Sequence, residues 1–201
     1  MIKAITFDLD GVYFTPDSFS NFKKNLPKKV TDPNLVDQVF QRSDETKKFR
    51  RGEISEDDYW SFARQSLGIT ISNPEIFQLL ADSYNFDPKV AALVKKVRSA
   101  GYKTCICSNN FPTRTRMLEE KFHFLSDFDV KIFSFEVGVM KPDPVIYNAL
   151  IKAADCLPQE VIYSDDKVDN VNAALALGIN AFEFQGFDHF VAQLKKSRVQ
   201  M

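Results

Sequence analysis

Lys3-Ala4-Ile5-Thr6-Phe7-Asp8-Leu9-Asp10-Gly11 is the stretch whose reading decides the fold. It is an apolar run, nearly uniform as expected of a strand covered on both faces, that stops at two carboxylates one residue apart. Four further short runs have the same character: Lys103 to Cys107, Lys131 to Phe133, Val161 to Tyr163, and Asn180 to Phe184. Helical patterns separate the later ones. Pro88 opens a helix through Ala91, Leu93, Val94 and Val97 that Gly101 ends. Pro112 opens a second, with Met117, Leu118 and Phe122, and Pro144 precedes Val145, Ile146, Ala149 and Leu150. Val171, Ala174, Leu175 and Leu177 then lead to Gly178. This alternation from residue 88 onward predicts an α/β fold, a parallel sheet with helices on both faces.

Residues 15–87 break the rhythm. No quick crossover follows the first strand. Instead come apolar stripes at helical spacing: Leu35, Val36, Val39 and Phe40; then Tyr59, Trp60, Phe62, Ala63 and Leu67; then Ile76, Phe77 and Leu80. They predict a small helical domain of residues 15–87, inserted in a core made of 1–14 and 88–201. The chain has 201 residues, enough for such a core and insert. With 44% hydrophobic and 26% charged residues, disorder is excluded as its main state. The 19 phenylalanines and the single Trp60 read as core packing. A net charge of −1 gives no broad positive field, so nucleic acid is not an expected partner. No apolar run is long enough to span a membrane. The N-terminal segment meets acid too early for a signal peptide. Cys105, Cys107 and Cys156 show no motif spacing and read as reduced thiols, so a cytoplasmic setting is expected.

The chemistry-bearing residues follow the strands. Asp8 and Asp10 follow the first, and Asp165 and Asp166 the fourth. Ligands of an open parallel sheet bind outside the carboxyl ends of its strands. Adjacent first and fourth strands would therefore bring Asp8, Asp10 and Asp166 together. Such a group needs a cation, and hard carboxylate oxygens suit Mg²⁺. Ser108-Asn109-Asn110, after the second strand and just ahead of Pro112, offers a hydroxyl and backbone N–H groups to phosphate oxygens. Lys141, in Gly138-Val139-Met140-Lys141-Pro142-Asp143-Pro144, can set its ammonium between a phosphate and Asp8. Taken singly, each motif reads as a turn, a helix cap or a surface lysine. Their ordered series at the ends of different strands predicts a phosphoryl-transfer site.

In that series the sequence resembles the haloacid dehalogenase-like hydrolase superfamily, in its phosphatase branch with a helical, C1-type cap. Ile5-Thr6-Phe7-Asp8-Leu9-Asp10-Gly11-Val12 is similar to its first motif, Ile106-Cys107-Ser108-Asn109 to its second, and Gly138 through Pro144 to its third. Tyr163-Ser164-Asp165-Asp166-Lys167-Val168-Asp169-Asn170 is similar to the Asp-Asp form of its fourth. The Arg51-Gly52-Glu53-Ile54-Ser55 turn also looks like that branch's cap. The resemblance implies a Rossmann-like core and an Mg²⁺-dependent phosphatase acting through an aspartyl-phosphate. Asp8 would be the nucleophile, and Asp10 the acid and then the base. Ser108, Asn109 and Lys141 would bind the phosphoryl group. Asp8, the Asp10 backbone carbonyl and Asp166 would hold the metal, with Asp165 and Asn170 one step removed from it. The acid at Asp10 favours phosphate esters over halides, which leave without a proton.

A receiver-like phosphoacceptor module is the first alternative. There, however, the phosphoacceptor ends a middle strand and no cap is inserted. A catalytically degenerate member acting as a binding protein is the second, and the intact Asp8, Asp10, Lys141 and Asp166 speak against it. The expected substrate is a small phosphorylated metabolite: a sugar phosphate, a nucleotide or a phosphoglycolate-like ester. Arg50 and Arg51, beside the cap turn, are candidates for reading a second anionic or hydroxylated group, against the plainer reading of a solvated helix end.

Overall fold

The computed structural model describes residues 1–26 and 32–201. Residues 27–31, inside the predicted insert, lie outside the described residues. Five parallel strands form one sheet: β1 Ala4–Phe7, β2 Lys103–Ser108, β3 Val130–Phe133, β4 Val161–Asp165 and β5 Asn180–Glu183, in the order β3-β2-β1-β4-β5. The chain steps outward from β1 through β2 to β3, then returns across β1 to add β4 and β5. The sheet's switch point therefore lies between β1 and β4, where such folds open a crevice at the strand ends.

The period-two alternation of side chains divides the core in two. Ile5 and Phe7 of β1, with Ile106 and Ile162, pack against α6 (Pro88–Ser99) and α11 (Phe187–Lys196) through Val90, Val94, Phe190 and Leu194. Ala4, Cys105, Cys107 and Tyr163 face the other way. They pack on α9 (Pro144–Ala154) and α10 (Val168–Ala176) through Ile146, Tyr147, Leu150 and Ala174. Cys105 and Cys107 are buried free thiols whose pKa burial pushes up to about 12, as inert core cysteines require. The strands predicted as covered on both faces are so covered, except β5. It is one of the two sheet edges, and its residues are half-buried or exposed.

Between β1 and α6 the described chain is helical: α1 Ser18–Asn25, α2 Pro33–Asp37, a π-helical turn Gln38–Arg42, α3 Asp44–Arg50, α4 Glu56–Leu67 and α5 Asn73–Asp82. Side-chain oxygens of Ser43 and Ser55 accept from backbone N–H groups in the first turns of α3 and α4, and Ser72 with Glu75 forms a capping box on α5. Phe22, Phe40, Phe49, Tyr59 and Trp60 make an aromatic cluster that reaches Phe111 of the core. Polar contacts tie this layer to α7 (Pro112–Phe122). Trp60 Nε1 donates to Thr113 Oγ1 at 3.0 Å, Thr113 Oγ1 donates to Glu56 Oε2 at 2.6 Å, and Arg116 pairs with Glu56 at 2.9 Å. Among the described residues no helix is long and apolar enough to cross a membrane.

Candidate active site

Register brings the acids together. Phe7 pairs with Ser164, so Asp8 stands level with Asp165 across the switch point. Asp8 and Asp165 are buried and Asp166 is exposed; one carboxylate oxygen of each lies within 4.8 Å of the others. Gly11, at φ +79°, permits this approach, since a Cβ there would stand 2.9 Å from Asp166 Oδ2. The converging trio is thus Asp8, Asp165 and Asp166, not the expected Asp8, Asp10 and Asp166. The Asp10 carboxylate turns away, to a 2.8 Å ion pair with Arg114 Nη2.

Lys141 lies between two of these acids. Its buried ammonium pairs with Asp8 Oδ1 at 3.0 Å and Asp165 Oδ2 at 2.6 Å, and donates to the Cys107 carbonyl at 2.9 Å. All three ammonium donors are therefore engaged. Burial pulls the Lys141 pKa down, but Asp8 and Asp165 outweigh it and raise it above the ordinary lysine value. Burial pushes Asp8 up to about 7 against the pull of Lys141. Two buried carboxylates around one ammonium leave a local excess of negative charge, the condition that a cation relieves.

Asp165 is occupied on every side. Oδ2 accepts from Lys141 and from the Tyr163 hydroxyl, and Oδ1 accepts from Asn170 Nδ2 and the Lys167 N–H, both at 2.9 Å. These four bonds use the roughly four acceptor positions of a carboxylate. Asp165 thus fixes Lys141, and Asn170 in turn fixes Asp165. The acids left with free oxygens toward the crevice are Asp8 and Asp166. Leu9 N–H donates to Asp8 Oδ1 at 2.7 Å, which orients that carboxylate. An all-carboxylate cluster at the strand ends fits a hard divalent cation.

The residues expected at phosphate divide by role. Ser108, the last residue of β2, has a buried Oγ with no hydrogen-bond partner, a hydroxyl still able to bind. The side chain of Asn109 is already engaged. Its Nδ2 donates to the Lys141 carbonyl at 2.9 Å and its Oδ1 accepts from the Lys141 N–H at 2.7 Å, clamping the Lys141 loop to the end of β2.

Arg114 is a residue the sequence reading missed. It is buried in α7, donating to Asn110 Oδ1 at 2.6 Å and Tyr84 Oη at 2.9 Å besides its pair with Asp10. An arginine in a first helical turn opposes the helix dipole, and that misfit was the available signal. The two cap-turn arginines also part ways. Arg51 is at the surface, bound to Glu53, as a solvated helix end would be. Arg50 instead turns inward and lines a cavity of about 170 Å³ with Asp10, Thr15, Gln41, Arg114 and Asp166. A larger hollow of about 860 Å³, lined by Asn34, Gln38, Arg42 and Phe62, gathers none of the acids at the strand ends.

Acids gathered on a buried lysine at the switch point of a parallel sheet make this an α/β protein with a polar, cation-competent crevice at its strand ends. The chain matches the haloacid dehalogenase-like hydrolases over residues 2–178, and it belongs to that family. It is 27% identical to the sesquiterpene phosphatase astK of Aspergillus oryzae, over 88% of this chain and 87% of that one. It is 23% identical to a D-ribitol-5-phosphate phosphatase of Bacteroides thetaiotaomicron, over 91% of this chain and 92% of that one. It also resembles the mouse bifunctional epoxide hydrolase 2 at 26% identity over 89% of this chain, spanning only 35% of that protein. Among solved structures, a HAD family enzyme from Bacteroides thetaiotaomicron superposes with TM-score 0.79 at 22% identity, covering 94% of this chain and 98% of that one. A complex of that enzyme with magnesium and inorganic phosphate has TM-score 0.78, at 22% identity over 94% of this chain and 99% of that one.

Proposed function

We propose that this chain is an Mg²⁺-dependent phosphatase that hydrolyses a small, polar phosphate monoester through an aspartyl-phosphate on Asp8, in a cytoplasmic setting. The observation that carries the reading is the buried Asp8–Lys141–Asp165 array at the switch point, beside the unpartnered Ser108 hydroxyl. Asp8 and Asp166, with the Asp10 backbone carbonyl, would hold the cation, which supplies positive charge to the phosphoryl oxygens and to the nucleophile. Asp8 attacks phosphorus and the ester P–O bond breaks, while Asp10 gives a proton to the leaving oxygen. Asp10 then takes a proton from water, which attacks the same phosphorus and releases inorganic phosphate and the free Asp8 carboxylate. Lys141 and Ser108 stabilise the charge on the transferring group throughout.

Residues 15–87 would act as the cap that covers this site and reads the rest of the substrate. The polar lining of the cavity supports a sugar phosphate or a comparably polar ester. It does not favour a terpenoid such as the one named for the Aspergillus relative. The phosphate and magnesium bound by the structurally similar Bacteroides enzyme support the same pair of ligands here.

Hydrolysis of p-nitrophenyl phosphate with Mg²⁺ tests the reading directly. EDTA should abolish it and excess Mg²⁺ should restore it; Mg²⁺ should also raise the melting temperature, because it relieves the acid cluster. Activity that survives EDTA in full would remove the metal from the reaction. Asp10→Asn is expected to slow turnover by about 10²- to 10⁴-fold. With a labelled substrate, phosphoenzyme should accumulate, since the water-activating base is gone. Unchanged turnover, or a slowed first step with no slowing of the second, would remove the dual role of Asp10.

A further inference from the structure

Of the cations that line this cavity, Arg50 and Lys167 have no ion pair among the described residues, and Arg50 is supplied by the insert. Arg114, in the same lining, is paired with Asp10. Arg50 has no carboxylate within ion-pair distance among the described residues. One nitrogen, Nη2, donates to two neutral oxygens, Gln41 Oε1 at 3.0 Å and the Phe40 carbonyl at 3.3 Å. Its Nε is buried and has no partner. Gln41 and Phe40 belong to the π-helical turn Gln38–Arg42, so that turn holds the guanidinium that α3 presents. Burial, and next the charge of Arg114, pull the Arg50 pKa below its ordinary value. A guanidinium withdrawn from water without a paired carboxylate is unfavourable, and Arg114 nearby makes it more so, while the charge of Asp10 offsets only part of this. The arrangement becomes favourable when an anion enters the cavity.

We propose that Arg50 binds a carboxylate on the leaving-group side of the substrate, so that the preferred substrates are small phosphorylated carboxylic acids. The inference rests on the phosphatase reading above. The transferring phosphoryl group belongs at Asp8, Lys141 and Ser108. Asp10, which protonates the ester oxygen in that reading, lines the same cavity as Arg50, so the leaving group enters that cavity within reach of Arg50. The cavity of about 170 Å³ holds roughly six water-sized groups, room for a few carbons and one planar carboxylate. A carboxylate can accept a charge-assisted N–H bond from the guanidinium nitrogens that Gln41 and Phe40 leave free.

The test compares substrates that differ at one carbon: 3-phosphoglycerate against glycerol 3-phosphate, each with Mg²⁺, on the whole protein. The wild-type protein should favour 3-phosphoglycerate in kcat/KM by about tenfold or more. Arg50→Gln should bring the ratio close to one, mainly through a higher KM for 3-phosphoglycerate, and Arg50→Lys should keep part of the preference. A wild-type ratio near one, or a ratio unmoved in Arg50→Gln, would overturn the carboxylate site while leaving the phosphatase intact. Failure of the wild type to hydrolyse both esters and p-nitrophenyl phosphate would overturn the phosphatase reading, and this inference with it. The wild-type ratio is read without any variant, so a poorly folded Arg50→Gln does not shield the proposal.

Discussion

Asp8→Asn is expected to lose turnover by about ten-thousand-fold or more, because it removes the atom that forms the covalent bond to phosphorus. An amide oxygen is a poor nucleophile toward an anionic phosphoryl group, and no other crevice carboxylate takes its place. Asp165 is tied by Lys141, Tyr163, Asn170 and Lys167. Asp166 is exposed and sits beside Gly11. The same substitution should stabilise the fold. Asp8 and Asp165 are both buried against the single ammonium of Lys141, so with all three ionised the cluster carries one uncompensated negative charge. An amide of nearly equal size keeps the shape and removes the excess. At pH 8 without divalent metal, Asp8→Asn should gain about 1–2 kcal/mol, or roughly 3–8 °C in melting temperature. The gain should shrink when Mg²⁺ is added, since the wild-type cluster is then neutralised by the metal. Retained activity would refute the nucleophile assignment. A fall in melting temperature would refute the charge argument.

Lys141→Met should have the largest effect on stability. Among the described residues its ammonium is the one cation in contact with both buried carboxylates, and removing one member of such a cluster costs about 3–5 kcal/mol. That is a large part of the 5–15 kcal/mol typical of a domain. Denaturant melts should show the loss. Vanadate affinity with Mg²⁺ present should fall as well, because the ammonium next to Asp8 no longer meets the phosphoryl oxygens. The double variant Asp8→Asn with Lys141→Met separates the two effects. If the deficit arises from unpaired carboxylates, the added Asp8→Asn should recover a good part of the stability and none of the turnover. Stability and vanadate affinity both at wild-type levels in Lys141→Met would show that Lys141 holds neither the cluster nor the phosphate.

Much of this site was legible because strand-end chemistry is local. Asp8 and Asp10 directly follow an apolar run, and so do Ser108 and Asp165. A parallel sheet brings all strand ends of one polarity to one edge. Lys141 lies between β3 and the helix that Pro144 opens, and it reaches Asp8 past the end of β2, where Asn109 clamps its backbone. The helical insert was legible from its apolar stripes, although its π turn at Gln38–Arg42 was not. Periodicity reports which residues face the core and says little about one extra residue in a turn.

Where a side chain points after its strand ends is a different matter. Asp10 was expected beside Asp8 and Asp166, yet it turns to Arg114, because a buried guanidinium held by Asn110 and Tyr84 waits there. Asn109 was expected on phosphate; its side-chain amide is bound to both backbone groups of Lys141, so a phosphate contact there falls to its backbone N–H. Arg50 and Arg51 are adjacent in sequence, and only packing sends one into the cavity and leaves the other on Glu53. By itself, the sequence determined the parallel α/β core, the helical insert, and the acids and lysine that meet at the strand ends. Those features depend on short-range pattern and on the fixed polarity of the sheet. Tertiary structure alone decided which carboxylates share Lys141, which acid Arg114 holds, and that Arg50 enters the cavity without a paired carboxylate. These pairings join residues far apart in the chain, and burial selects among them only once the helices have packed.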